Sequence, residues 1–260
     1  MTAPSEHLFS LAGRRALITG ASGALGARFA EVLAGAGASV ALAARRVGQM
    51  QPVCDRITDQ NGKAVALTLD LTDPAQIKPT FDAAEAALGG PVDIIINNSG
   101  IASPGALLDQ SDEDWAALMA VNVDGARRVA AEAARRLVAA KQPGSIVNVA
   151  SILGLRQGAG VAAYATSKAA LIQLTKQQAL EWARHGIRVN ALAPGYIETD
   201  INRDFFASDA GQAQIKRIPQ RRLGRPAELD GPLLLLCSDA GSFISGTALV
   251  VDGGHLTSAL

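Results

Sequence analysis

The chain has little of what metal, redox and nucleic-acid chemistry draws on. Only two of its 260 residues are cysteines, Cys54 and Cys237, and their separation fits neither a metal motif nor a redox pair nor a disulfide scaffold. The three histidines, His7, His185 and His255, are scattered, so no metal site and no histidine-based triad is expected. Lys and Arg number 24 and so do Asp and Glu, and a net charge of zero gives no support for binding nucleic acid or a membrane surface. The purely apolar runs, such as "PLLLLC" at 232–237, are too short to span a bilayer. The N-terminal "MTAPSEHLFSLAGRR" has no apolar stretch of signal-peptide length, so a soluble cytoplasmic protein is the expectation.

What is present is 48% hydrophobic residues and 26 glycines, a composition for a large core with many tight turns. Short apolar runs near 15–19, 39–44, 64–69, 92–96, 145–150, 188–193 and 248–252 read as strands. They are almost continuously apolar, as strands covered on both faces are. Alanine-rich segments with helical spacing lie between them, at 24–35, 74–88, 112–140 and 161–184. This alternation predicts an α/β fold: a parallel sheet of about seven strands with helices on both faces. No linker, low-complexity tract or repeat divides the chain, so residues 1–260 are expected to form one domain.

The first strand runs into "TGASGALG", with Gly20, Gly23 and Gly26 where the chain must turn from strand into helix. Free N–H groups and partial positive charge at a helix N-terminus suit a diphosphate, and glycine lets it approach the backbone. Gly20, Ser22, Gly23, Ala24, Leu25 and Gly26 are therefore candidate nucleotide-binding residues. A site for NAD places an acid about 20 residues on, to meet the ribose 2′-hydroxyl. Here no acid stands between Glu31 and Asp55, and Arg45 and Arg46 follow the second strand. Guanidinium groups there match a 2′-phosphate, which favours NADP(H) over NAD(H); two solvated arginines opening a surface helix are the plain alternative.

In "AAYATSKAALIQL", Tyr164 and Lys168 stand four residues apart and so on one helix face. A free phenol has a pKa near ~10, and a protonated amine beside it would favour the phenolate. The pair therefore predicts a tyrosine tuned as an acid–base group. Taken singly, Tyr164 would be a core-edge residue, Ser151 a helix cap and Asn122 a turn or cap residue.

Together these segments resemble the short-chain dehydrogenase/reductase family, in order and along essentially the whole chain. The matching pieces are "TGASGALG" at 19–26, "NNSG" at 97–100, "NV" at 122–123, Ser151, "YATSK" at 164–168, "PGYIET" at 194–199 and "VDGG" at 251–254. The resemblance implies a single-domain Rossmann-type doubly wound sheet and a catalytic tetrad of Asn122, Ser151, Tyr164 and Lys168. It implies that Asp70, with Leu71 beside it, meets the adenine. It gives Asn97, Asn98 and Gly100 to the cofactor floor, and Pro194, Gly195, Ile197 and Thr199 to the nicotinamide end. It also assigns Tyr164 and Lys168 to the cofactor, with the lysine on the ribose hydroxyls, and a water held by Asn122. Two departures stand out: Ala24 occupies the family's usual middle glycine, with Gly23 one position earlier to restore freedom, and Ser99 replaces an alanine.

The implied activity is reversible reduction of a ketone to a secondary alcohol, with a small carbonyl or alcohol substrate. The segment "ILGLRQGAG" after Ser151, the surroundings of Tyr196 and a lid over 200–218 would line its pocket. Ile201, Phe205, Phe206 and Ile215 either signal a hydrophobic ligand or pack the lid down. A 3-oxoacyl-(acyl-carrier-protein) reductase is the alternative, although Gln142 and His185 are not the basic residues expected at those helix ends; Lys141 and Arg184 stand beside them. A regulator that binds NADP(H) without turnover is the non-enzyme alternative, and the intact tetrad argues against it. Length and the "PGYIET" and "VDGG" segments argue against an epimerase or dehydratase of the extended relatives. The resemblance further implies a homotetramer, with a dimer second, paired through helices 112–140 and 161–184.

Overall fold

The computed structural model describes residues 8–199 and 202–257. His7 and Ile201 lie outside the described residues.

Each apolar run becomes a strand: β1 (Arg15–Thr19), β2 (Ser39–Ala44), β3 (Ala64–Thr68), β4 (Ile94–Asn97), β5 (Gly144–Val149), β6 (Ile187–Pro194) and β7 (Ala248–Val251). All join one parallel sheet in the order β3-β2-β1-β4-β5-β6-β7. Successive side chains of a strand point to opposite faces, and here both faces are dry. Ile18 of β1 and Ile96 of β4 join one core with Phe29, Val53 and Leu233. Leu17 and Ile95, one residue away, join the other core with Phe81, Val129 and Leu137. The first core carries helices α1 (Ala24–Gly35), α2 (Gln51–Asp59) and α9 (Asp230–Cys237). The second carries α3 (Ile77–Leu88), α5 (Ala126–Ala140) and the end of α6 (Ala162–Trp182).

The segment 112–140 is not one α-helix. It is α4 (Asp112–Met119), a π-helical turn over Ala120–Gly125, and α5. Two contacts account for the widened turn. Asn122 accepts the N–H of Ile101 at 2.8 Å and donates to the Ile101 carbonyl at 2.9 Å, drawing the turn toward the loop after β4. A Cβ at Gly125 would stand 2.7 Å from Cβ of Leu71, so only glycine lets the turn press onto that residue. Such turns inside helices are frequent at functional sites. Segment 74–88 likewise begins as a 3₁₀ turn, Pro74–Gln76, capped by Asp73 through the N–H of Ala75.

The lid contains two short helices, α7 (Arg203–Ala207) and α8 (Asp209–Ile215). Ser208 caps the second, accepting from the N–H of Gly211. Phe206 is buried while Phe205 is exposed, so one of the two aromatics packs the lid down.

Candidate active site

The chain runs outward from β1 through β2 to β3, then returns to place β4 on the other side of β1. A crevice opens at such a switch point beyond the carboxyl ends of the strands, and ligands bind there. Six of the singled-out segments follow a strand end: Gly20 follows β1, Arg45 β2, Asp70 β3, Asn98 β4, Ser151 β5 and Gly195 β6, while Asn122 sits in the π turn and Tyr164 and Lys168 on α6.

At the nucleotide end the loop is set by contacts closer than a side chain would allow. Gly20 has φ +65°, and a Cβ there would lie 2.8 Å from Cα of Ser99. A Cβ at Gly26 would lie 2.5 Å from the Gly20 carbonyl oxygen and 2.7 Å from Nδ2 of Asn98. That same amide donates to the carbonyls of Thr19 and Gly20 at 3.1 and 3.2 Å, and Oγ1 of Thr19 accepts the N–H groups of Asn98 and Ser99 at 3.1 Å each. Asn97 lies beneath, donating to Asn148 at 2.8 Å and to the Ala126 carbonyl at 3.2 Å. The floor and the glycine loop are thus one hydrogen-bonded piece. Gly23 caps α1 with no side chain over the first N–H groups, which suits a diphosphate.

Two expectations change here. Gly23 has φ −90° and ψ 161°, a conformation open to any residue, and a Cβ there would meet only the Gly20 oxygen at 3.5 Å. Ala24 is exposed at the helix start. The departure from the family's glycine spacing therefore needs no compensation in the backbone. Leu71 turns its side chain into the core, leaving its backbone alone for a nucleotide.

Arg45 and Arg46 are exposed beyond β2. Asp70, beyond β3, accepts the N–H and hydroxyl of Thr72 at 2.9 and 2.8 Å. These bonds, with the positive charge of Arg45 nearby, hold its carboxyl below the usual range. The nucleotide end therefore offers a glycine cradle for phosphates and two cations beside an ionised acid.

At the other end, Ser151 follows β5 and Tyr164 and Lys168 stand on α6. Oγ of Ser151 accepts the N–H of Leu153 at 3.1 Å, so the serine is the cap its position suggests. It also hydrogen-bonds the Tyr164 phenol. Lys168 is 3% exposed and donates to the Val149 carbonyl at 2.8 Å. Its ammonium lies 5.5 Å from the centre of the Tyr164 ring. Burial brings its pKa down to about 8. Asn122 donates to Ser167 at 3.0 Å, which fixes the π turn against α6. Gly100 lies between this amide and the lysine: a Cβ there would stand 3.3 Å from Nζ and 3.5 Å from Oδ1 of Asn122. The four candidate catalytic groups are brought together.

Burial pushes the Tyr164 phenol up, against the weaker downward pull of the Ser151 hydrogen bond. Lys168 directs its ammonium to a backbone carbonyl and is itself weakened as a cation by burial. The phenol is thus held in its protonated form.

The family model described as "Enoyl-(Acyl carrier protein) reductase" matches residues 20–255. Gluconate 5-dehydrogenase of Gluconobacter oxydans is 38% identical over 248 residues, which cover 95% of this chain and 96% of that protein. The 3-oxoacyl-[acyl-carrier-protein] reductase FabG of Vibrio cholerae is 37% identical over 245 residues, 94% of this chain and 98% of that one. A crystal structure of a gluconate 5-dehydrogenase from Burkholderia cenocepacia, in complex with NADP and tartrate, superposes with a TM-score of 0.93 at 37% identity, covering 98% of this chain and all of that one. The chain belongs to the short-chain dehydrogenase/reductase family.

In this short-chain dehydrogenase/reductase, two side chains escaped the sequence reading and a third feature was read only in part. Thr19 closes the floor and Ser167 anchors Asn122, each through a hydroxyl beside a motif already in view. The third is a group beyond Tyr164. Tyr196, after β6, lies 5.6 Å edge-on from Phe206 and 5.5 Å from the ring of His255, while Arg156 donates to the His255 carbonyl at 2.5 Å. Arg156, Tyr196 and Phe206 lie in segments already placed around the pocket, and their meeting with His255 is what the structure adds. At the nicotinamide end, Gly195 packs on Asp252, where a Cβ would stand 2.7 Å from that residue's Cβ. Ile197 is buried, and its carbonyl accepts from Asn202, which in turn accepts the N–H of Thr199 at 2.9 Å. Among the described residues, no group of side chains could hold a metal ion and no helix is long and apolar enough to cross a membrane.

Proposed function

We propose that this protein is an NADP(H)-dependent oxidoreductase that reversibly reduces a ketone to a secondary alcohol. The observation that carries the reading is the Ser151–Tyr164–Lys168 group, with buried Ser151 just after β5 hydrogen-bonded to Tyr164 of α6 and buried Lys168 one turn on. The bound nicotinamide supplies or accepts the hydride. The chain's own groups handle the oxygen. As negative charge grows there, a hydroxyl bond from Ser151 and one from Tyr164 stabilise it, and Tyr164 gives up its proton. The N–H of Leu153 occupies one lone pair of the Ser151 oxygen and leaves its hydrogen for donation. Lys168 offsets the charge left on Tyr164, and Asn122 holds the surrounding backbone in place.

Gly20–Gly26 would cradle the diphosphate, Arg45 and Arg46 the 2′-phosphate, Asp70 and the Leu71 backbone the adenine, Asn98 and Gly100 the floor. Pro194, Gly195, Ile197 and Thr199 would meet the nicotinamide. The NADP in the related Burkholderia structure supports this cofactor. Arg45 and Arg46 support it from this chain. NAD(H) is the less favoured reading.

The relatives support two substrate classes, a keto-sugar acid and a 3-oxoacyl thioester. The carrier-linked reading draws on exposed Lys141, Arg184 and His185. The same family reading extends to a homotetramer in the cytoplasm, supported by exposed Val138 and Leu180 on α5 and α6; light scattering would test it.

The deciding experiment follows NADPH and NADH oxidation against aryl ketones, cyclic diketones, 3-oxo acids, sugar-derived ketones and 3-oxoacyl thioesters. Turnover with NADPH on one class supports the reductase and names the substrate. Tight NADPH binding with no turnover at any pH would instead favour a nucleotide-binding regulator.

A further inference from the structure

On the floor of the crevice one side chain departs from the family pattern: Ser99 stands where the family has alanine. Its hydroxyl is used neither by the fold nor by the reaction. The backbone does the local work, since the N–H of Ser99 donates to Oγ1 of Thr19 at 3.1 Å and pins the residue beside the glycine loop. A Cβ at Gly20 would stand 2.8 Å from Cα of Ser99 and 2.9 Å from its Oγ, so the serine side chain rests against the bare Gly20 turn. Ser99 is half-buried, and its hydroxyl makes no hydrogen bond among the described residues. The neighbouring hydroxyl is the opposite case. Oγ1 of Thr19 accepts the N–H groups of Asn98 and Ser99 and donates to the Ile96 carbonyl at 3.4 Å, which leaves nothing for a ligand.

The place of the Ser99 hydroxyl gives it a use. Strands β1 and β4 are neighbours at the point where the sheet order reverses, so Gly20 and Ser99 leave adjacent strand ends into the crevice. To one side of Ser99 lies Gly20, which leads to the uncapped N–H groups of α1. To the other side lies Gly100, where a Cβ would stand 3.3 Å from Nζ of Lys168. A dinucleotide that reaches from the glycine loop to the lysine passes over Ser99. Its sugar–phosphate backbone is rich in acceptor oxygens, some of them anionic, and a hydroxyl meets an anionic oxygen with a short, charge-assisted bond. A hydroxyl already half withdrawn from water gains from such a partner, because folding has removed part of its hydration.

We propose that Ser99 is a cofactor-binding residue whose hydroxyl donates a hydrogen bond to the sugar–phosphate backbone of NADP(H) beside the Gly20 turn. An alanine cannot make this contact. The inference rests on the NADP(H) reading and adds to it a side chain peculiar to this chain's floor. The nicotinamide ring takes no part in the bond, so the oxidised and reduced cofactors gain equally from it.

Calorimetric titration tests this with two ligands, NADP⁺ and 2′-phospho-ADP-ribose, which lacks the nicotinamide. Both should bind Ser99→Ala about tenfold more weakly than the parent, and by the same factor. The melting temperature without ligand should be unchanged, since the hydroxyl bonds nothing in the free protein. An unchanged Kd, a loss confined to NADP⁺, or a loss that comes with a lower ligand-free melting temperature overturns the proposal. In each of those cases binding to the parent leaves the NADP(H) reading standing. A parent that binds neither ligand refutes that reading and the proposal with it.

Discussion

The two ends of the crevice are built in opposite ways. At the nucleotide end the determinants are backbone atoms. Gly20 and Gly26 leave less than 3 Å for a side chain, and Thr19 and Asn98 tie the loop to the floor. At the substrate end the determinants are side chains from three distant segments: Arg156 after β5, Phe206 in the lid and His255 after β7 gather round Tyr196. The first end has a shape that glycine alone permits. The second is built of charge and rings on loops outside the sheet.

The largest effect that would sharpen the contrast is expected at Gly26. Gly26→Ala forces a methyl group against the Gly20 oxygen, costing about 3 kcal/mol of stability and weakening NADPH binding about 100-fold. Gly23→Ala, three residues away, should change either by less than about threefold, since its backbone is ordinary and its space open. Equal losses in a fluorescence titration would show that the loop is not set by these contacts. Next comes Arg45→Asp combined with Arg46→Ile, which should lower the NADPH:NADH ratio of kcat/KM by about 100-fold. An unchanged ratio would place the 2′-phosphate elsewhere.

Lys168 gives a smaller effect with a definite sign. Its folded pKa of about 8 lies below the ordinary 10.5, so the unfolded chain binds the proton more tightly. The resulting cost, roughly 3 kcal/mol, is fully present below pH 8 and is relieved as pH rises toward 10.5. Lys168→Met should therefore be more stable than the parent at pH 7, by about 1–2 kcal/mol after loss of the Val149 hydrogen bond, and flatter with pH. Denaturant melts at pH 7 and 10 decide it: a less stable variant, or parallel curves, would refute the burial account. The smallest signal is spectroscopic. The chain has two tyrosines, Tyr164 and Tyr196, and burial raises both phenols. Ultraviolet titration of the free protein should show no tyrosinate below pH 9; a phenolate forming near pH 7–8 would restore the lysine-tuned tyrosine.

The seven strands were legible because each is short and apolar on both faces, as Ile94–Ile96 shows by feeding two cores at once. The nucleotide end was legible because steric need leaves glycines behind, although Gly23 was credited with a constraint it does not carry. The catalytic group was legible through its spacing and family likeness. The π turn was not, since it depends on Asn122 reaching Ile101 across the crevice. Helical spacing sets Lys168 on the same face as Tyr164, but only the packed structure shows its ammonium on Val149. Helices α2 and α9 are not among the segments read from helical spacing, the second because "DGPLLLLC" carries no polar face to give it a period.

The central claim is that Tyr164 donates the proton to the ketone oxygen. Tyr164→Phe, assayed beside the parent for NADPH affinity and for ketone reduction, tests this most directly. The account predicts an unchanged NADPH Kd and a kcat lowered by about 10³-fold. Retained turnover would remove Tyr164 as the donor and the mechanism with it.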